Sequence, residues 1–197
     1  MNSWDERYSA SEYVYGTEPN GFLVQVADRL RPGDLLSLAE GEGRNAVYLA
    51  GLGHRVSAVD SSAVGLAKAR ELAARKGVRL ETTCGDLAEY DPGQDRWDSV
   101  VSIFCHLPGA VRADLYRRVC SGLRSGGLLV IEAYTPAQLA HGTGGPRDVS
   151  LLVSLETLRT ELEGLEFLIA RETERTVVEG TLHTGLASVV QVLARKP

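Results

Sequence analysis

The sequence is short of cysteine, of long apolar runs and of positive charge, and each shortage closes off a class of protein. Its three cysteines, Cys84, Cys105 and Cys120, cannot all pair within the chain, and no two are spaced as CxxC. Neither a disulfide framework nor a metal site is therefore expected. No apolar stretch nears the ~20 residues that span a bilayer. The opening MNSWDERYSASEY is polar and acidic, without the apolar core of a secretory leader. A reduced, cytoplasmic protein with no membrane partner is the expectation. A net charge of −5 argues against nucleic acid, whose phosphates need a basic footprint. No repeat or low-complexity segment stands out. With 197 residues, 44% hydrophobic and 24% charged, a single domain with one continuous core is expected.

What is present gathers around LLSLAEGEGRNAVYLAGLGHRVSAVD, residues 35–60. Leu35 to Ala39 is a short apolar run suited to a strand buried on both faces. Gly41-Glu42-Gly43 makes a tight turn, and Asn45 to Leu52 reads as a helix with Ala46, Leu49 and Ala50 inward. Arg55 to Val59 is a second strand, closed by Asp60. Strand, glycine turn, helix, strand and acid is the order in which an open parallel sheet grips a nucleoside. The glycines let the backbone approach, and the acid accepts from ribose hydroxyls.

On either side the pattern continues. Trp4, Tyr8, Tyr13 and Tyr15 crowd a polar leader, and a helix is expected from Pro19 with Phe22, Leu23, Val26, Ala27 and Leu30 inward. Ser61 or Ser62 can cap a helix running to about Lys76, ended by Gly77. Strands follow at Val78 to Thr83, Ser99 to Phe104 and Leu128 to Tyr134. A helix carrying Val111, Leu115, Val119 and Leu123 precedes the last of these and stops at Ser125-Gly126-Gly127. A glycine-rich loop from Thr135 to Val149 leads to a helix marked by Leu155, Leu158, Leu162 and Leu165. Glu166 to Ala194 then reads as strands alone. The expected fold is α/β: a Rossmann-like three-layer sandwich with a seven-stranded, mostly parallel sheet and an antiparallel C-terminal hairpin.

In this order the chain resembles the class I S-adenosylmethionine-dependent methyltransferases. Gly41-Glu42-Gly43 is similar to that family's first motif, Asp60 to its ribose acid, and Gly85-Asp86-Leu87 to the segment that frames adenine. Leu123-Arg124-Ser125-Gly126-Gly127 is similar to the turn entering the family's fifth strand. WDERY, GEGRNAVYLA and EAYTP resemble the small bacterial tellurite-resistance and thiopurine-type branch. The resemblance implies S-adenosyl-L-methionine as cofactor and a small-molecule acceptor, with a homodimer left open. It implies a lid and helix over 1–33, a cofactor-binding core over 34–134, and an acceptor-side loop, helix and closing strands over 135–197. The implied cofactor contacts are Tyr15, Ala39, Glu40, Gly41, Glu42, Gly43, Asn45, Asp60, Ser61, Gly85, Asp86, Leu87 and Ile103. The chain departs from the family at Ser37, where an acid is usual, and at Ala39, where a glycine is usual. The group that meets the cofactor's ammonium is therefore open between Glu40 and backbone carbonyls.

The candidates for the reaction itself are His106, Tyr134 and His183. His106 follows the fourth strand, beside the place of the transferred methyl, where it can act as base or simply cap the next helix. Tyr134 ends the fifth strand on the acceptor side. His183 lies in a turn between the late strands and meets the acceptor only if that turn reaches over the sheet. The slot after the fourth strand lacks the Asn-Pro-Pro-Tyr pattern of amide and base N-methyltransferases, and no acid cluster suits a metal-assisted catechol reaction. With no decisive base, a soft or already ionised acceptor, such as a thiol or a tellurium or selenium species, is expected. The alternatives are a natural-product O- or N-methyltransferase, a cofactor-binding protein without activity, and an NAD(P)-dependent oxidoreductase. The oxidoreductase shares the Gly41-x-Gly43-x-x-Ala46 spacing, but Glu40 and Glu42 would repel its pyrophosphate.

Overall fold

The computed structural model describes residues 3–180 and 183–197, with the side chain of 183 outside the description. Its sheet has seven strands in the order β3-β2-β1-β4-β5-β7-β6. These are β1 (Asp34–Leu38), β2 (Arg55–Asp60), β3 (Glu81–Cys84), β4 (Trp97–Ile103), β5 (Leu123–Tyr134), β6 (Glu166–Glu179) and β7 (His183–Arg195). The first five run parallel, and β7 is antiparallel to both β5 and β6. The chain moves outward from β1 to β3, then crosses back to β4. The carboxyl ends of β1 and β4 therefore flank the switch point at which such sheets bind ligands.

Among the described residues, six α-helices surround the sheet: α1 (Ser3–Tyr8), α2 (Gly21–Val26), α3 (Arg44–Gly51), α4 (Ala63–Arg75), α5 (Gly109–Gly122) and α6 (Leu155–Glu161). One apolar cluster joins Leu35, Val56, Val101 and Val130 to Phe22, Leu23, Ala46, Leu49 and Leu66 on α2, α3 and α4. The other joins Leu36, Val100, Leu129 and Val192 to Leu115 and Val119 of α5 and Leu158 of α6. Strands buried on both faces are why residues 35–38 and 128–131 show no alternation.

Several boundaries differ from the sequence expectation. Asn20, not Pro19, starts α2, its side chain accepting from the Leu23 amide at 3.0 Å. Ser62 rather than Ser61 caps α4. β3 begins at Glu81 instead of Val78, because the Val78 amide bonds to Ala73 O at 3.0 Å and closes the end of α4, where Gly77 takes φ +70°. Leu123 belongs to β5, not α5. It pairs with Trp97, and the ladder then shifts so that Leu128 pairs with Ser99, which leaves Gly126-Gly127 as an irregularity inside the strand. Leu162 caps the end of α6 and Leu165 lies beyond it.

The glycine-rich loop after β5 is tied down. Gln138 accepts from the Ser188 amide at 2.8 Å and donates to Thr143 Oγ1 and Gly144 O, both at 3.1 Å. At Gly145, with φ +79°, a Cβ would lie 2.6 Å from the Tyr134 ring. Glycine here allows close approach of loop to ring.

Candidate functional site

A cleft opens over the carboxyl ends of β1, β2 and β4, enclosing 140 Å³. Of the residues expected to hold the cofactor, it is lined by Tyr15, Ala39, Glu40, Glu42, Asn45, Asp60, Ser61, Asp86, Leu87 and Ile103. Gly41, Gly43 and Gly85, also expected there, are not among its lining residues. A Cβ on Gly43 would lie 2.6 Å from Ala69 Cβ, so that glycine lets α3 pack against α4. The Gly85 amide donates to Asp60 O at 3.0 Å and joins β3 to the acid.

Asp60 is buried and holds two backbone donors. Its Oδ2 accepts from the Gly41 amide and its Oδ1 from the Ser62 amide, each at 2.8 Å. Burial raises its pKa, and the two amides oppose the rise. One carboxylate thus fixes the glycine turn and the entry to α4, and a carboxylate keeps further lone pairs for ribose hydroxyls. Asp86, exposed at the cleft edge, accepts from the Ala88 amide at 2.9 Å. It is both a turn residue and a wall of the cleft.

Glu40 resolves the departure at Ser37. Its Oε1 accepts from the Asn45 and Ala46 amides at 3.1 and 2.9 Å, and Ser37 Oγ donates to its Oε2. The side chain turns back under the loop, so a carboxylate still lies beside Ser37, supplied from three residues later. Burial pushes its pKa up to about 7. Ala39 permits this turn only by taking φ +49°, which accounts for the glycine usual there. Phe104, after β4, is likewise left-handed at φ +52°. Both strained residues face the cleft.

Glu42 serves the leader. It ion-pairs with Lys68 and accepts from the Val14 amide at 2.8 Å. Lys68 also donates to the carbonyls of Ala10 and Glu12 at 2.9 and 2.6 Å. Tyr8 and Tyr15 line the cleft, whereas Tyr13 packs on α4 with its hydroxyl donating to Lys68 O at 3.0 Å. Repulsion by both acids was the sequence argument against a pyrophosphate, and for Glu42 it fails, because Lys68 neutralises it. A stronger obstacle replaces it: Glu40 already occupies the α3 amides that a phosphate would take.

At the far side of the cleft, Phe104 stacks on Tyr134 with centroids 4.6 Å apart, and His106 stacks on Tyr134 at 5.7 Å. Tyr134 is buried behind these rings and does not line the cleft. Burial lowers His106 to about 4, with the Leu151 backbone opposing slightly. Neither of its ring nitrogens makes a hydrogen bond of good geometry among the described residues. The same burial pushes the neighbouring Cys105 thiol up to about 12. His183 pairs by its backbone with Glu179, and its side chain lies outside the described residues. His141 pairs with Glu174 at 3.0 Å, away from the cleft lining.

Sequence reasoning passed over Trp4, Gly16, Arg44 and Leu107, which also line the cleft. Trp4 had a signal in the crowded aromatics of the leader, and Arg44 in being the first helical residue after the glycine turn. Its Nη2 lies 2.5 Å from Glu179 Oε2, and Glu179 also takes Arg175 at 2.8 Å and Asn20 at 3.0 Å. Adjacent to it, Glu132 is fully buried with Asn20, Gln191 and Arg175 around it. Among the described residues, no cluster of His, Cys, Asp or Glu could hold a metal, and no helix is long and apolar enough to cross a membrane.

The lining mixes acidic and apolar groups. Four acids, Glu40, Glu42, Asp60 and Asp86, line it together with the apolar Leu87 and Ile103, and Arg44 keeps a buried Nη1 without a hydrogen-bond partner. Residues 35–127 match the methyltransferase domain family model. No curated protein sequence matches the chain significantly. Among solved structures, it is similar to an echinomycin-biosynthesis protein described by conversion of a disulfide bond into a thioacetal group. The TM-score is 0.78 at 20% identity, over 98% of this chain and 87% of that one. TehB from Haemophilus influenzae gives 0.75 at 22%, over 98% of this chain and 66% of that one. The N-methyltransferase NodS from Bradyrhizobium japonicum WM9, in complex with S-adenosyl-L-homocysteine, gives 0.72 at 14%, over 99% and 97%. Identities this low speak to the fold alone. Residues 35–127 thus form a methyltransferase domain, in which the glycine turn after β1 is fixed by the acid that ends β2.

Proposed function

We propose that the protein methylates a small, soft or already ionised acceptor, of which thiols and selenium or tellurium species are the leading class. The observation that carries this is the lack, among the described residues, of an active base at the acceptor end. His106 at about 4 is a weak proton acceptor, and Cys105 at about 12 stays a thiol. Burial also raises the Tyr134 phenol. The acids of the cleft stand instead at the glycine turn and at the ends of β2 and β3.

Bound S-adenosylmethionine supplies an electrophilic methyl, and the chain's task is alignment. In this reading Asp60, Ser61, Asp86, Leu87 and Ile103 hold the nucleoside, and Glu40 balances the cationic end. Phe104 and His106 form the acceptor's wall, with Tyr134 fixing their rings from behind. Neutral His106 offers a hydrogen bond without adding charge. Residues 1–33 act as lid, 34–134 as cofactor core and 135–197 as acceptor side, in one domain.

A mass-spectrometric screen with S-adenosylmethionine against thiols, selenols, tellurite, phenols and amines tests the reading. Methylation confined to thiols and heavier chalcogens supports it. Turnover of phenols or amines with none of thiols or heavier chalcogens would overturn it.

A further inference from the structure

Gln138 stands on the short helical turn Pro136–Ala140 after β5, is 2% exposed, and is not part of the cleft lining. Its amide joins two segments at once. The carbonyl accepts from the Ser188 amide of β7 at 2.8 Å, and the nitrogen donates to Thr143 Oγ1 and Gly144 O at 3.1 Å. Thr143 Oγ1 donates in turn to Leu186 O, also on β7. Side-chain bonds thus hold to the sheet a loop whose glycines give it little stiffness of its own.

What the loop holds in place is Tyr134. Gly145 lies so close to that ring that a Cβ would come within 2.6 Å of it. Further on, the Val153 amide donates to Tyr134 O at 3.0 Å, and the Leu151 backbone comes beside His106. Tyr134 stacks on Phe104 and His106, which do line the cleft. Phe104 keeps φ +52°, a conformation that persists only where the surroundings impose it. We propose that Gln138 is a positioning residue for the cleft: its amide clamps residues 143–145 against Tyr134, and through that ring fixes the wall made by Phe104 and His106. That the clamp thereby governs acceptor affinity rests on the reading of this wall as the acceptor's.

Gln138→Met keeps the length of the side chain and removes all three of its bonds. Histidine-selective NMR reads the wall without any acceptor, with His106 assigned from the spectrum of His106→Gln. In the wild type His106 should not titrate between about pH 5 and 8. In Gln138→Met its midpoint should rise from about 4 toward the ordinary 6.5 as water reaches the loosened ring. The KM of the thiol that the wild type methylates fastest should rise at least about fivefold, while S-adenosylhomocysteine affinity by calorimetry stays within about twofold. Lower thermal stability with His106 and the thiol KM unchanged would make Gln138 structural only, and an equal loss of cofactor affinity would spread its effect over the whole cleft. Either result overturns the proposal, as would a wild-type His106 that already titrates near 6.5. If Gln138→Met folds poorly, Thr143→Val removes one bond of the clamp, and a smaller rise of the His106 midpoint is expected; no rise would overturn the proposal. A wild type that methylates no thiol or heavier chalcogen would instead refute the soft-acceptor reading, and the His106 titration would then judge the clamp by itself.

Discussion

Asp60 Oδ2 accepts a hydrogen bond from the Gly41 amide at 2.8 Å, so the acid that ends β2 fixes the turn that follows β1. Its other oxygen holds the Ser62 amide. Asp60→Ala is therefore expected to act twice. Cofactor affinity should fall by at least ~1.5 kcal/mol, and thermal stability should fall as well, since two amides lose a charged acceptor. Calorimetry and thermal melting of the same sample check both. Unchanged affinity with lowered stability would reduce Asp60 to a structural cap.

Glu40 gives stability a pH dependence. Its folded pKa, about 7, lies above the ordinary 4.5 of a glutamate. Between those values the folded chain keeps a proton that the unfolded chain releases. The group's effect is absent below about 4.5, destabilises increasingly as pH rises, and is complete above about 7. Glu40→Gln preserves an acceptor for the α3 amides and removes the titration. Its melting temperature relative to wild type should climb from about pH 5 to about pH 8. A constant difference would contradict the assignment.

Ala39 stores backbone strain at φ +49°. Ala39→Gly should relieve it and stabilise the protein by ~1 kcal/mol, after the extra chain entropy of glycine is counted. Denaturant unfolding reads this directly, and destabilisation would show that the methyl's packing outweighs the strain.

Lys68 fastens the leader to the body through Glu42 and three carbonyls. Lys68→Met strands a buried carboxylate and should cost about 3 kcal/mol. Residues before Gly16 should also become quicker to exchange and to cleave. Hydrogen exchange that accelerates evenly through the whole chain, without preference for the leader, would contradict this anchoring role.

Much of this site is local in sequence and therefore legible there. The glycine turn, Asp60 and Asp86 are fixed by strand ends and turns a few residues long, which patterning and turn chemistry record. What was hidden depends on geometry or distance. Glu40 replaces an acid at Ser37 only because Ala39 reverses the backbone between them. Arg44 matters because it meets Glu179 from the other end of the chain. Leu123 fits the apolar spacing of α5, yet it pairs with Trp97 as the first residue of β5. Helical and strand readings of one leucine differ only in its neighbours. Burial of His106, which turns a candidate base into a neutral hydrogen-bonding group, follows from the stacking of Phe104 and Tyr134 across two strands.

The cofactor is the centre of the account, and one titration series addresses it most directly. Calorimetric injection of S-adenosylmethionine, S-adenosylhomocysteine and NADH into the intact chain should give saturable one-to-one binding of the first two and no heat beyond dilution for NADH. Binding of NADH with no response to either sulfur-containing ligand would contradict the account.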